Sequence, residues 1–334
     1  MYKIAFVYPK ELPSGGDQLK YLKSSGRDKT CYYLYISQGF NLLDNIDYQK
    51  IRFAGSSFDI SSIDKEFDAI ILWDLFEYGI TYKNIKNSKA VICGSCPDVY
   101  TLNEWMVYRY QEYNIDFFYH IFSKLSYQNV MRDVLKLDPD MCEYRCMPRG
   151  ISENFLTRND PIGQRAGPVG YRSRKVLISG ATDHFTYDLR REIKDSNHPS
   201  IISVEELESR IPGVQFIGDD YYSLLHSTSA HISACEVITG KSFESLGCGC
   251  LTFIEAGPNV GPDEIGLIDN QNCIFITKEN WQRKIQSYVE TYSDIRWAEI
   301  AKAGRELALE RFSTKSCAEN IVKACMEISR EKNA

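Results

Sequence analysis

Glu236 and Glu244 stand eight positions apart in the stretch Ala234-Cys-Glu-Val-Ile-Thr-Gly-Lys-Ser-Phe-Glu-Ser-Leu-Gly-Cys-Gly-Cys250. An apolar segment, Ser229 to Cys235, runs into the first glutamate. A short turn containing Gly240 follows, and the second glutamate sits just inside a helical pattern that closes in a Gly-rich turn. A carboxylate accepts two hydrogen bonds and suits a vicinal diol, so one acid before a helix N-terminus and one in its first turn can face a single sugar or ribose. The helix N-terminus between them offers N–H donors to an anion. Lys241, beside Gly240, adds a positive charge there, and Arg190 is a second candidate cation. Each residue also has an ordinary reading. Acids favour helix N-termini because the dipole stabilises them, and a lone lysine or arginine is most often a solvated surface cation.

Other residues could serve the same chemistry. Gly180 can let a phosphate or sugar approach the backbone, or can simply end a strand. Asp74 and Asp98 close apolar segments, where either could deprotonate or orient a hydroxyl; helix capping or a turn explains them as well. Cys93-Gly-Ser-Cys96 and Cys142 with Cys146 invite a zinc reading. The gap between the pairs is far longer than in a zinc ribbon and no histidine cluster accompanies them, so buried or surface thiols are expected and no metal. Most of the 22 tyrosines and 16 phenylalanines are expected in the core or on half-buried strands.

The elements that must position these residues alternate along the chain. Lys3 to Tyr8, Asp68 to Asp74, Lys89 to Gly94 and Asp116 to His120 read as strands, and Thr30 to Ser37 alternates and is rich in tyrosine. Asp17 to Ser24 and Ser126 to Leu137 read as helices, and Thr101 to Glu112 as a helix with Thr101 as N-cap and Glu104 in the capping box. Pro148-Arg-Gly150 then punctuates the chain, and Thr157 to Arg174 is rich in Gly, Pro and Arg. The alternation restarts with strands at Lys175–Ser179, Val214–Ile217, Ala230–Cys235, Cys250–Glu255 and Cys273–Thr277. Helices are expected at Phe185–Lys194, Val204–Ser209, Tyr221–Ser227, Ser242–Gly247, Trp281–Tyr292, Ile295–Phe312 and Lys315–Lys332.

This pattern implies an α/β protein of two Rossmann-like, doubly wound domains facing a cleft, with ligands at the carboxyl ends of the strands. The expected division is residues 1–150, a linker at 151–174, a second domain at 175–312, and a closing helix at 313–334 that can pack back on the first domain. A length of 334 residues suits two cores. The net charge of −6 argues against a general nucleic-acid binder. The first nine residues are too short an apolar run for a signal peptide, and no apolar stretch reaches the roughly 20 residues of a membrane span. Eleven cysteines cannot all pair within one chain, so a soluble, cytoplasmic protein with reduced thiols is expected.

Four segments of the second half, which cover most of residues 175–330, carry a family likeness. Lys175-Val-Leu-Ile-Ser-Gly180, followed by Tyr187-Asp-Leu-Arg190, resembles the first C-terminal strand and helix of the GT-B fold glycosyltransferases, in the group 1 branch that includes the spore-maturation CgeB-like proteins. Lys241-Ser-Phe-Glu244-Ser-Leu-Gly-Cys-Gly249 is similar to that branch's R-x-F-E-x-x-x-x-G segment. Asp269-Asn-Gln-Asn272-Cys273 resembles its D-G-E-N-C loop, and Arg311-Phe312-Ser313 its entry to the closing helix. In the first half, Met147-Pro-Arg-Gly150 resembles the family's P-x-G domain junction.

The resemblance implies a nucleotide-sugar donor site. Glu244 would grip the ribose hydroxyls and Glu236 would lie nearer the transferred sugar. Lys241 and Arg190 would meet the diphosphate, with lysine replacing the family's arginine and so keeping a point charge while losing a bidentate fork. Gly180, His184, Tyr187, Gly240, Ser242 and Phe243 would complete the donor side, with Gly15, Gly16, Asp74 and Asp98 on the acceptor side. The implied activity is sugar transfer from a nucleoside diphosphate to a hydroxyl acceptor such as a glycan or lipid-linked sugar, retaining and metal-independent, with no cofactor beyond the donor. Competing readings are a nucleotide-sugar epimerase or sugar phosphorylase on the same scaffold, and a non-catalytic nucleotide-sugar-binding protein.

Overall fold

The computed structural model describes residues 1–9, 32–72, 80–95, 103–120, 123–147, 150–151, 156, 173–210, 219–257 and 262–333. Several expectations fall outside these residues: the loop with Gly15 and Gly16, the helix at Asp17–Ser24, Asp74, Asp98, Cys96, the strand at Val214–Ile217, and nearly all of the stretch Thr157–Arg174. The chain divides into two compact units, Met1–Gly150 with Thr314–Ala334, and Ile151–Ser313.

The first unit is built on a six-stranded parallel sheet. Its strands are β1 (Tyr2–Pro9), β2 (Ile46–Phe53), β4 (Ala69–Leu72), β6 (Val91–Ser95), β7 (Phe117–His120) and β8 (Tyr144–Cys146), ordered β2-β1-β4-β6-β7-β8. A small parallel pair, β3 (Ser57–Asp59) with β5 (Thr81–Lys83), lies apart from it. The central strands are short, apolar and buried throughout, as in Ala69-Ile-Ile-Leu72, because a parallel sheet is covered on both faces. β2 is an edge strand, Ile46-Asp-Tyr-Gln-Lys-Ile-Arg-Phe53, whose middle is partly exposed and charged. That composition protects an edge from pairing with other chains and hides the strand from an apolar pattern search.

Most of the tyrosine-rich alternation noted at Thr30–Ser37 falls in a helix. Tyr32–Phe40 is helix α1, which buries Ile36 and Phe40 against the closing helix. A Cβ at Gly39 would strike the Thr314 carbonyl oxygen, so glycine permits this close helix approach. Helix α2 (Glu104–Tyr113) starts later than the capping box at Thr101 predicts. Asn103 is the N-cap, its side chain accepting from the Met106 N–H at 3.1 Å, and Glu104 lies in the first turn. Helix α3 (Lys124–Asn129) runs on into one wide turn at Val130–Val134.

The second unit holds a five-stranded parallel sheet of β9 (Ser173–Ile178), β10 (Ile201–Ser203), β11 (Thr228–Ser233), β12 (Leu251–Glu255) and β13 (Ile274–Ile276), ordered β10-β9-β11-β12-β13. Helices α4 (Asp188–Asp195), α5 (Val204–Arg210), α6 (Asp219–Ser227), α7 (Gly240–Gly247), α8 (Trp281–Glu290) and α9 (Ile295–Arg311) connect and cover it. Its core joins Val176, Ile178, Ile232 and Phe253 to Trp281, Tyr288 and Trp297. The final helix, α10 (Thr314–Asn333), belongs to the first unit, where Cys317, Ile321 and Cys325 pack with Ile36, Phe40 and Cys93. No helix among the described residues is long and apolar enough to cross a membrane.

Candidate functional site

In the second sheet the chain starts at β9, steps outward to β10, then returns across β9 to β11. The connections leaving β9 and β11 therefore diverge, and a crevice opens at their carboxyl ends. The predicted donor-side residues lie on these exits and on the helices that follow them.

β9 leads into Ser179 and Gly180. Gly180 has φ +104°, a conformation that side chains resist. A Cβ at this position would lie 2.5 Å from Lys241 Nζ and 2.8 Å from Arg190 Nη1, so the two cations converge on one point of bare backbone. Lys194 Nζ fixes that backbone from the other direction, donating to the Gly180 carbonyl at 2.7 Å while pairing with Glu205 at 2.8 Å.

Arg190 comes from α4, which also buries Leu189 and Ile193 against the sheet. It is only 3% exposed. Its Nη1 donates to the Ala181 carbonyl at 2.9 Å and its guanidinium lies 4.0 Å from the Tyr187 ring centroid, but Nε has no protein partner. Lys241 stands in the first turn of α7 and has no ion-pair partner among the described residues. Burial first, and then the nearby Arg190 charge, lower its pKa to about 8 against the opposing pull of Glu244. The N-terminus of α7 carries no side-chain cap, since Thr239 accepts nothing from the helix. Two cations and an uncapped helix start thus sit together, an arrangement whose charge and N–H donors suit an anion.

Of the two glutamates, Glu244 lies near enough to Lys241 to oppose the fall in its pKa. Glu244 is not in the first turn of α7, as the spacing predicts, because the helix already begins at Gly240; it is buried one turn in and accepts from the Tyr222 hydroxyl at 3.3 Å. Glu236 follows β11, is half-buried, and is held by its own backbone N–H donating to the Thr186 carbonyl at 3.1 Å. The remaining donor-side candidates are placed as follows. His184 caps the turn before α4, with Nδ1 2.8 Å from the Thr186 hydroxyl. Tyr187 lies under Arg190. Gly240 is the first residue of α7. Ser242 is tied to Ser233 at 2.8 Å, joining helix to strand end. Phe243 points inward against Phe312, ring centroids 4.2 Å apart, so its role in this arrangement is packing. The acceptor-side candidates Gly15, Gly16, Asp74 and Asp98 all lie outside the described residues. No cluster of three or more metal-ligating side chains occurs among the described residues, and Cys93 faces Cys325, the sulfurs 3.9 Å apart.

The sequence reading missed two buried groups here. His231 of β11 is fully buried; Nε2 lies 3.0 Å from the Ser179 hydroxyl, which in turn meets Tyr221 at 2.9 Å, and Nδ1 has no protein partner. Burial, with Lys241 and Arg190 nearby, pushes its pKa down to about 3, so it is neutral and carries one ring proton. Glu255 ends β12, 8% exposed, with Oε2 lacking any protein partner. Burial and then the Glu236 charge raise its pKa to about 7. An acid closing an apolar segment, Leu251-Thr-Phe-Ile-Glu255, is the same signal that singled out Asp74. No local signal marks His231, whose partners come from other elements.

The fold is that of the GT-B glycosyltransferases. Three solved structures show the likeness along almost the whole chain. HepE from Anabaena, in complex with UDP and glucose, matches with a TM-score of 0.56 at 12% identity, over 98% of this chain and 100% of that one. Sucrose-phosphate synthase from Thermosynechococcus elongatus gives 0.57 at 11%, over 98% and 99%. A glycosyltransferase from Rickettsia africae ESF-5 gives 0.59 at 12%, over 98% of each chain. At these identities the likeness is one of fold. No family model matches the sequence, and no curated protein matches it.

Proposed function

We propose that the protein is a glycosyltransferase that moves a sugar from a nucleoside diphosphate to an acceptor hydroxyl. The observation that carries this reading is the convergence of Lys241 and Arg190 on the bare backbone of Gly180, at the uncapped start of α7. Two like charges held together in a half-dry crevice disfavour each other until an anion arrives, and a diphosphate supplies two or more negative charges at that spacing. Glu244, near the same helix start, takes the ribose diol, and Glu236 lies toward the transferred sugar.

In the transfer the bond between the anomeric carbon and the diphosphate oxygen breaks, and the electron pair leaves with the diphosphate. Lys241, Arg190 and the α7 N–H groups stabilise the charge that develops there. The acceptor hydroxyl forms the new carbon–oxygen bond and releases its proton, which the departing phosphate can take. That route needs neither a separate strong base nor a metal, and it retains anomeric configuration. The CgeB-like branch is supported by the segments around Gly180, Glu244 and Asn272. Uridine is the first base to test, because HepE is a UDP and glucose complex on this fold.

The experiment is a thermal-shift screen with UDP-, GDP-, dTDP- and ADP-sugars, since a ligand that binds only the native state raises its apparent stability. One base series is expected to raise the Tm, and Glu244→Gln is expected to weaken that series by about tenfold through the lost ribose contacts. Absence of binding by every series overturns the reading. Release of free nucleoside diphosphate only when an acceptor is added separates transfer from epimerisation, and turnover absent with binding intact identifies a binding protein.

A further inference from the structure

Glu255 lies outside the glutamate pair, and its Oε2 is buried with no hydrogen-bond partner among the described residues. It is the last residue of β12, and the neighbouring strand β11 runs beside it in register, Ser233 opposite Ile254, so the exits to Glu236 and Glu255 leave the same edge side by side. A Cβ at Gly257 would lie 3.9 Å from the Glu236 carbonyl oxygen, which shows that the two exits stay together. The Glu255 side chain is more than nine-tenths buried, yet Oε2 meets no donor, and Arg190 Nε nearby meets no acceptor. Buried polar atoms in native proteins are nearly always paired, so an open acceptor and an open donor in one wall define a place for a polar ligand group.

The charged groups around Glu255 define that ligand further. Glu236, from the β11 exit, is the largest charged influence; Arg190 and Asp188 come from α4, and Lys278 from the exit of β13, where it pairs loosely with Asp188 at 3.9 Å. Two acids side by side disfavour a second negative charge. A carboxyl group that keeps its proton both donates and accepts, as a sugar hydroxyl does.

We propose that Glu255 is a sugar-recognition residue, whose carboxyl group takes a hydroxyl of the transferred sugar beside Glu236 and limits the donor to neutral sugars, turning away uronates. The inference rests on the donor-site reading above. It adds a third acid to the site and assigns it to the sugar, leaving the diphosphate to Lys241 and Arg190.

The test is calorimetric binding of UDP, GDP, dTDP and ADP, and of their glucose conjugates, to the full chain and to Glu255→Gln and Glu255→Ala. Glu255→Ala is expected to weaken the bound glucose conjugate by about tenfold while shifting the parent diphosphate less than about threefold. UDP-glucuronate is expected to bind the wild-type chain more weakly than UDP-glucose, by about tenfold or more. The glutamine variant keeps a donor and an acceptor but cannot ionise. Its affinity for the conjugate is therefore expected to equal that of wild type at pH 6 and to exceed it by about tenfold at pH 8.5, since ionisation of Glu255 changes only the wild type. Comparison of one ligand on two proteins cancels the titration of Lys241.

Equal weakening of diphosphate and conjugate overturns the inference, because Glu255 then acts through Arg190. An unchanged conjugate affinity in both variants, or parallel pH profiles, overturns it as well. If no diphosphate binds the wild-type chain, the donor-site reading falls and this inference falls with it. Should Glu255→Ala fail to fold, the glutamine pH profile still decides.

Discussion

Two buried arginines show how differently the two units use polar groups. Arg109 in the first unit donates from Nη2 to the Ile80 carbonyl and to the Tyr113 hydroxyl, the latter at 2.7 Å, and from Nε to the same hydroxyl at 2.9 Å. Its guanidinium also lies about 5 Å from the rings of Trp105 and Tyr113. Among the described residues, Arg190 in the second unit has one hydrogen bond, one ring, an open Nε and a lysine converging on the same point. Arg109 is satisfied by its own fold and so reads as structure. Arg190 is less fully satisfied by its own fold, which is what the proposed diphosphate site would use. The lesson extends to the sheets. The core under the first sheet is made of apolar side chains and thiols, whereas the second unit buries His231 on β11, Glu255 at the end of β12, and Arg190 and Glu244 on the helices that follow β9 and β11.

The contrast breaks if removing the lysine beside Arg190 and removing Arg109 itself have the same effects. Lys241→Met is expected to weaken nucleoside diphosphate binding by about a hundredfold, the loss of a charge-assisted contact in a partly dry site. It is also expected to stabilise the ligand-free protein at pH 7 by about 2 kcal/mol. The sign follows from linkage: a lysine with a folded pKa near 8 against an ordinary 10.5 lowers native stability at every pH below 8, and recovers it as pH rises toward 10.5. Arg109→Met should do the reverse. Diphosphate binding stays as it was, and stability falls by about 2–3 kcal/mol because the Ile80 carbonyl and the Tyr113 hydroxyl lose a charged donor. Calorimetric binding and denaturant unfolding on the same two variants read both halves.

The sequence made the sheets legible wherever strands are buried on both faces, as at Ala69–Leu72 or Leu251–Glu255, because an unbroken apolar run has few other uses. It concealed β2, whose Lys50 and Arg52 serve an edge, and left α1 unassigned, where the tyrosines alternate although the buried spacing from Ile36 to Phe40 is helical. The site divided in the same way. Glu236, Lys241 and Glu244 share one turn and one helix, so their spacing carries information. Arg190, Gly180 and Lys241 meet only after β9, α4 and β11 are assembled, and no local spacing encodes that meeting. Residue type alone makes Arg190 and Gly180 candidates, and the resemblance is what sets them on the donor side. Glu255 could have been found from the acid at the strand end, and His231 from nothing local.

A smaller effect sharpens the contrast within the second unit. Glu255→Gln is expected to raise stability at pH 8 by about 2 kcal/mol and to leave it unchanged at pH 4. In the native state the carboxyl titrates near 7 rather than at its ordinary 4.5, so between these values the native protein holds a proton that the unfolded chain has released. Stability attributable to the protonated acid is complete below pH 4.5 and is lost as pH rises through 7. Thermal unfolding of wild type and variant across pH 4–8 measures the difference, and equal curves at pH 8 place Glu255 in water rather than in the crevice wall.

The smallest expected effect concerns two groups that conceal each other. His231 is neutral in the native state with a pKa near 3, against 6.5 when unfolded, so its contribution to stability is full above pH 6.5 and is lost as pH falls toward 3. Glu255 has the opposite slope between pH 4.5 and 7. From pH 4.5 to 6.5 the two nearly cancel, at up to about 1 kcal/mol per pH unit each, and their sum leaves wild-type stability flat in this window. Removing one member exposes the other: Glu255→Gln should lose stability steadily as pH falls from 6.5 to 4.5, while His231→Asn should gain it. Denaturant midpoints at three pH values across the window suffice. Parallel slopes for wild type and both variants would mean that these groups titrate normally, and that the carboxyl edge of the second sheet is not a dry, charged wall.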